Sequence, residues 1–257
     1  MKIGIFQPYF FPYIGYFQLI HAVDRFILYP EIQYICQGWI NRNRIVQKNG
    51  CIQYILVPVH SGSHLCIKDV HIDNTSLRWR QRLIKSIRNF YGKAAYFKEI
   101  YPLLEEVLTQ QDYLTISDLN VATIRSVANF LEMETEIVCA NTERYQGLEE
   151  KLVRLQTNGY DELPQYAEKQ VSRMLVRIFE ICRMEGADTF INSIGGTALY
   201  KNDVFAHHGV NLNFLQTHDI QYKQQCEEFI PNLSIIDVLM HNGKEKTKEL
   251  LTHYTLI

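Results

Sequence analysis

No apolar run in this chain approaches the ~20 residues that a bilayer-crossing helix needs, so a membrane-inserted protein is not expected. Met1 and Lys2 do precede an apolar stretch, but Gln7, Pro8, Pro12 and Gln18 break it and no small-residue cleavage site follows, which argues against a secretory signal. An excess of one charge sign is also missing. With 26 Lys and Arg against 28 Asp and Glu, the formal net charge is −2, which gives no electrostatic footprint for nucleic acid as the primary target. The six cysteines (Cys36, Cys51, Cys66, Cys139, Cys182, Cys226) form no CxxC pair and have no histidine partner at ligand spacing. Neither a zinc site nor a disulfide framework is indicated, and the expected compartment is a reducing cytoplasm. His60 and His64 stand four apart but flank Ser61, Gly62 and Ser63 in a loop, so no metal is expected there. A nucleophile elbow, a Walker loop and a dinucleotide-binding glycine fingerprint are all absent, as are internal repeats and low-complexity linkers.

What is present is an ordinary globular composition, 47% hydrophobic and 21% charged over 257 residues. A chain of this length buries roughly 75% of its unfolded surface and can form one large domain. The opening residues are the most informative. Ile3, Gly4, Ile5 and Phe6 read as a buried strand, while Phe17, Leu19, Ile20 and Val23 recur at helical spacing. Between them QPYFFPYIGY (residues 7–16) places five aromatic rings, two prolines, a glycine and a glutamine in a connecting loop. A strand, a special loop and a helix build sites, because ligands of open α/β sheets bind beyond the carboxyl ends of strands, against helix N-termini. The alternative is that these rings simply fill the core.

Further along, Arg25 to Tyr29 reads as a strand closed by Pro30, and Asn49-Gly50 signals a hairpin turn that leads into the strand-like CIQYILVPV. IKDVHI alternates as a further short strand. From Asn74 the pattern turns helical. Asn74, Thr75 and Ser76 offer caps for a basic helix carrying Arg78, Arg80, Arg82, Lys85 and Arg88, and two more amphipathic helices follow, the second capped by Ser117. The basic helix is either a phosphate-attracting face or a plain solvated one. TEIVCA is a strand, residues 163–186 form a long helix with Gly186 just past its end, TFINSIGG is a strand entering a glycine turn, and VNLNFLQT is a late strand. LSIIDVLMHNG is a helix capped by Ser234, with Asp237 placed for a capping box, and closed by Gly243. The expected fold is α/β: an open, mostly parallel sheet with flanking helices, forming one domain over 1–257 with a helical insertion at 75–133.

Four segments combine polar groups with turn residues: QPYFFPYIGY, GWINRNR (38–44), INSIGGTALY (191–200) and YKQQCEEFIPNLSIID (222–237). Arg42 and Arg44 supply forked donors for phosphate or carboxylate, Asn41 and Asn43 donors and acceptors for hydroxyls or amides, and Trp39 a stacking surface. On a hairpin the asparagines and arginines would face opposite sides. Gly195 and Gly196 allow close backbone approach, and Tyr222, Lys223 and Gln224 are candidates for ligand contact.

Read in order, these segments resemble the WbqC-like family over nearly the whole chain. The resemblance implies a role in O-antigen and surface polysaccharide biosynthesis, with transfer of a glycyl or related aminoacyl group to an amino sugar or sugar nucleotide. On that reading Arg42 and Arg44 hold the phosphates or the activated donor, Tyr9, Tyr16 and Trp39 wall the sugar, and Gln7, Asn41 and Asn43 bind hydroxyls or the acyl carbonyl. His21 or Asp24 is the base that takes the attacking amine's proton. The cofactor, the acyl donor and the acceptor sugar stay open. Two other classes remain: a nucleotidyltransferase-like enzyme, although residues 7–16 hold no histidine for the transferred phosphates, and a non-catalytic sugar-binding module.

Overall fold

In a computed structural model that describes residues 1–60, 64–75, 78–110, 113–158, 164–166 and 171–257, the chain is an α/β protein built on a six-stranded, mostly parallel sheet. The elements are β1 (Lys2–Phe6), α1 (Ile14–His21), β2 (Arg25–Leu28), β3 (Arg42–Val46), β4 (Ile52–Leu56), α2 (Arg78–Tyr91), α3 (Phe97–Thr109), α4 (Ile116–Phe130), β5 (Glu136–Cys139), α5 (Leu148–Asn158), α6 (Arg173–Glu185), β6 (Thr189–Ser193), α7 (Asn202–His207), β7 (Asn211–Thr217), α8 (Ile235–Leu251) and β8 (Tyr254–Leu256). The main sheet runs β5-β2-β1-β6-β7-β8, with only β8 antiparallel among its described strands, and β3 and β4 form a separate hairpin.

Side-chain alternation divides the core. Phe26, Leu28, Ile191 and Leu215 face α1, the α2–α4 segment, α8 and the hairpin, whereas Ile3, Ile27, Phe190, Leu212 and Phe214 face α5, α6 and α7. Two covered faces explain why these strands read as continuous apolar runs. The chain lays β2 and β5 on one side of β1, then returns to lay β6 and β7 on the other, which makes the β1/β6 boundary the switch point where open sheets hold ligands. Four residues of β1 pair with β2, but only Lys2 and Ile3 pair with β6. The two strands therefore part at their carboxyl ends, leaving Ile5 and Phe6 half-buried.

Several boundaries differ from expectation. Residues Ile67–Asp69 form a single 3-10 turn instead of a strand, tied down by isolated bridges from Val59 to Ile72 and from His71 to Thr115. The cap of α4 is Thr115, which makes a reciprocal box with Asp118 and leaves Ser117 buried inside the first turn. Gly243 does break the helix, with non-helical φ 65° and ψ −166° at a kink where a Cβ would lie 2.4 Å from the Tyr96 ring, but a second helical segment that was not expected follows and carries α8 on to Leu251. Helix α5 and strand β8 are elements the periodicity did not reveal. Gly186 does cap α6 in the left-handed region at φ 65°. Ser76, Ser61 to Ser63, and residues 163 and 167–170 of the expected long helix lie outside the described residues.

Candidate functional site

The loop between β1 and α1 leaves the sheet beside the switch point, and almost every carbonyl it exposes is met by a donor from elsewhere in the chain. Tyr16 donates its hydroxyl to Gln7 O (2.8 Å), Asn120 Nδ2 to Pro8 O (2.8 Å), and Asn43 Nδ2 to Phe10 O (3.0 Å) and Phe11 O (2.7 Å). Ser234 Oγ adds a bond to Phe11 O (2.8 Å), and Ile235 N donates to Pro12 O (2.9 Å). These clamps hold Phe11 at φ 40°, a strained value for an aromatic residue, and bury Phe10 and Phe11 as a rigid footing. A loop fixed this thoroughly presents its remaining rings without further loss of conformational entropy on binding.

Those rings are Tyr9 and Tyr13. With Pro12, Trp39, Asn43, Arg44 and Asn232 they line a cleft of about 310 Å³. Trp39 stays 39% exposed, and the Arg44 guanidinium sits over its ring at 5.3 Å. Arg44 Nη2 donates to Asn232 O (3.0 Å), while its buried Nε meets no acceptor among the described residues. Asn232 itself adopts φ 56°, a left-handed value that asparagine tolerates, which turns its carbonyl toward Arg44. Burial raises the pKa of both Tyr9 and Tyr13, so each stays protonated at neutral pH and available as a donor.

Three of the four segments marked in the sequence thus meet: Tyr9 and Tyr13 from the first, Trp39, Asn43 and Arg44 from the second, Asn232 from the last. The other candidate residues go elsewhere. Tyr16 is enclosed in the core with its hydroxyl on Gln7 O, and the half-buried Gln7 is not among the lining side chains. Asn41 is buried and donates to Val57 O (3.0 Å), so it ties the hairpin together. Arg42, on the same face of β3 as Arg44, turns to Gly38 O (3.2 Å), Gln37 O and the Tyr54 ring. Gly195 and Gly196 follow β6 at the switch point; a Cβ on Gly196 would come within 3.1 Å of the Asn192 side chain, so that glycine permits close packing. His21 and Asp24 lie at the opposite edge of the sheet, because α1 runs from the carboxyl ends back to the amino ends. There Asp24 accepts from Lys2 N (2.7 Å), and both residues line a separate cleft with Glu132, Thr135 and Lys248.

Tyr222 and Gln224 serve a buried carboxylate that was expected only as part of a helix cap. Asp237 is fully buried and accepts from Tyr91 (2.8 Å), Tyr222 (2.7 Å) and Gln224 Nε2 (3.1 Å). Ser234 caps α8 alone, through Ile236 N (3.3 Å). Burial raises the Asp237 pKa, and it lowers that of the neighbouring His241. Gln224 Oε1 also accepts from Ile230 N (2.8 Å), so the network fixes the strap that ends at Asn232. Sequence reasoning missed Asn120, Ser234 as a loop clamp, and Asn232. Asn120 carried a readable signal, since it shares the core-facing stripe of α4 with Ile116, Thr123, Ile124 and Val127.

The chain is an open, mostly parallel α/β protein with an aromatic and arginine cleft beside the switch point of its sheet. The chain belongs to the WbqC-like protein family, whose sequence profile matches residues 7–249. It is also 27% identical over 247 residues to the uncharacterized protein Rv1507c of Mycobacterium tuberculosis, a match that covers 95% of each chain. No solved structure matches it. No helix among the described residues is long and apolar enough to cross a membrane.

Proposed function

We propose that the cleft between Tyr9, Tyr13, Trp39 and Arg44 binds an amino sugar that carries an anionic group, such as a sugar nucleotide, and that the protein supports transfer of a glycyl-type aminoacyl group to the sugar amine in O-antigen or surface polysaccharide biosynthesis. The observation that carries this reading is the meeting, in one cleft, of the exposed Trp39 and the half-buried Tyr9 and Tyr13 with the Arg44 guanidinium. Apolar ring faces take up the C–H surfaces of a pyranose or the plane of a base, and the guanidinium takes the phosphate or carboxylate oxygens. In the transfer, the amine nitrogen forms a bond to the acyl carbon, the bond from that carbon to its activating oxygen or sulfur breaks, and the leaving group departs with the electron pair. The seven lining residues include no carboxylate, imidazole or amine. The amine's proton therefore passes to the departing group or to solvent, and His21 and Asp24, at the other edge of the sheet, take no part. A cytoplasmic setting suits such donors and the six free cysteines.

The same absence of a base favours, as a second reading, a sugar-binding protein without catalysis. Mass spectrometry of an amino-sugar nucleotide incubated with activated glycine separates the two: a glycylated sugar supports transfer, and an unchanged sugar that still binds supports the binding module. For Arg44→Met, calorimetry should show affinity for the amino-sugar nucleotide falling about 10- to 100-fold, the worth of a charge-assisted hydrogen-bonded pair. An unchanged affinity would remove Arg44 from the site.

A further inference from the structure

The basic helix α2 carries a cation that the aromatic cleft does not use. Arg80, in its first turns, is only 4% exposed, and among the described residues no carboxylate pairs with it. Its Nη1 donates to Asn74 Oδ1 (2.8 Å), but Nε and Nη2 are buried with no acceptor. These two nitrogens share one edge of the guanidinium, the edge that makes parallel bonds to two oxygens of a single anion. Beside them, Trp79 is 9% exposed and its Nε1 also lacks a partner, with the Arg80 guanidinium 4.6 Å from the indole ring. Among the described residues, three buried donors from adjacent positions thus lack acceptors. Buried polar groups in folded proteins are ordinarily satisfied, so this concentration is the exception that asks for a ligand.

The electrostatics point the same way. α2 spans 14 residues, its first turn contains no acidic residue, and Arg78, Arg80 and Arg82 crowd the end where the helix dipole is already positive. Basic residues at that end are unfavourable unless an anion joins them. A tetrahedral oxyanion has enough oxygens to take the guanidinium edge and the indole N–H together. We propose that the N-terminal turn of α2 is a binding site for a phosphate group, held by Arg80 Nε and Nη2 and by Trp79 Nε1. It is separate from the aromatic cleft: Tyr91, at the far end of α2, is the residue that touches the hairpin and Asp237, and at 1.5 Å per residue the helix puts roughly 20 Å between the two ends.

The probe is inorganic phosphate, exchanged for chloride at constant ionic strength, with thermal unfolding as one readout. At ten times its dissociation constant, phosphate should raise the wild-type Tm by about 4 °C. Arg80→Met should fold, because it removes an unpaired buried charge, and should show no phosphate shift. Arg80→Lys keeps the charge but loses the fork and should bind at least tenfold more weakly. As the chain has two tryptophans, Trp39→Phe leaves Trp79 as the single indole reporter, and its emission should change saturably with phosphate. A wild-type Tm and Trp79 emission that ignore millimolar phosphate would overturn the proposal, as would an equal response in Arg80→Met. An acetate response as large as that to phosphate would overturn the assignment to phosphate.

Discussion

Asp237→Ala is expected to lower the free energy of unfolding by about 4 kcal/mol, measured by urea denaturation, because it strips the acceptor from three buried donors at once. The hydroxyls of Tyr91 and Tyr222 lose their carboxylate outright, and Gln224 Nε2 retains Ile230 O (2.9 Å) and the Tyr222 hydroxyl (3.3 Å). The damage should extend to binding, since the strap from Tyr222 to Asn232 hangs from this carboxylate and delivers the carbonyl that holds Arg44. The pH dependence has a defined sign. Burial sets the folded pKa of Asp237 above its unfolded value, so the protonated carboxyl is the form the fold favours. Its contribution is fully present below the unfolded pKa and is lost as pH rises through the folded one. The stability difference between wild type and Asp237→Asn should therefore shrink as pH rises through the acidic range and then level off. A difference that grows with pH over that range would contradict the assignment.

Asn43→Ala is expected to cost about 3 kcal/mol and to weaken sugar-nucleotide binding by more than tenfold. Its amide nitrogen meets two adjacent carbonyls, Phe10 O and Phe11 O, and its Oδ1 accepts from Arg44 N (2.8 Å). Without that clamp, Phe11 loses a main constraint on its positive φ, and the loop that carries Tyr9 and Tyr13 relaxes away from Trp39. Asn43→Asp should be at least as damaging at neutral pH, because an ionised carboxylate would face two carbonyl oxygens and donate to neither. It should recover partly in acid, where the protonated carboxyl can donate to one. Equal denaturation midpoints for wild type and Asn43→Asp at neutral pH would show that the clamp contributes nothing.

Much of the architecture could be read directly from the residues. The doubly covered strands announced themselves as apolar runs, Asn49-Gly50 placed the hairpin, and Gly186 placed the end of α6, since each signal is local and physical. The parity of a strand also foretold that Asn41 and Asn43 would face away from Arg42 and Arg44. What parity could not tell is which pair faces a ligand. Both asparagines are buried against carbonyls of neighbouring loops, because a buried amide can satisfy several unpaired carbonyls at once, and Asn43 lines the cleft as well. Arg42 and Arg44 share a face yet part company, as only Arg44 has Trp39 and Asn232 beside it, and Asn232 arrives from a segment 188 residues away. Asp237 fits the spacing of a capping box, but the tertiary offer of two tyrosine hydroxyls outcompeted a local backbone N–H. His21 and Asp24 lay near the aromatic loop in sequence and far from it in space, because one helix carries the chain across the full depth of the sheet.

The most direct measurement is a crystal structure of the protein with an amino-sugar nucleotide bound. The expected result is a sugar or base stacked on Trp39 between Tyr9 and Tyr13, with phosphate oxygens on the Arg44 guanidinium. Density for the ligand at the opposite edge of the sheet, beside His21 and Asp24, would contradict it.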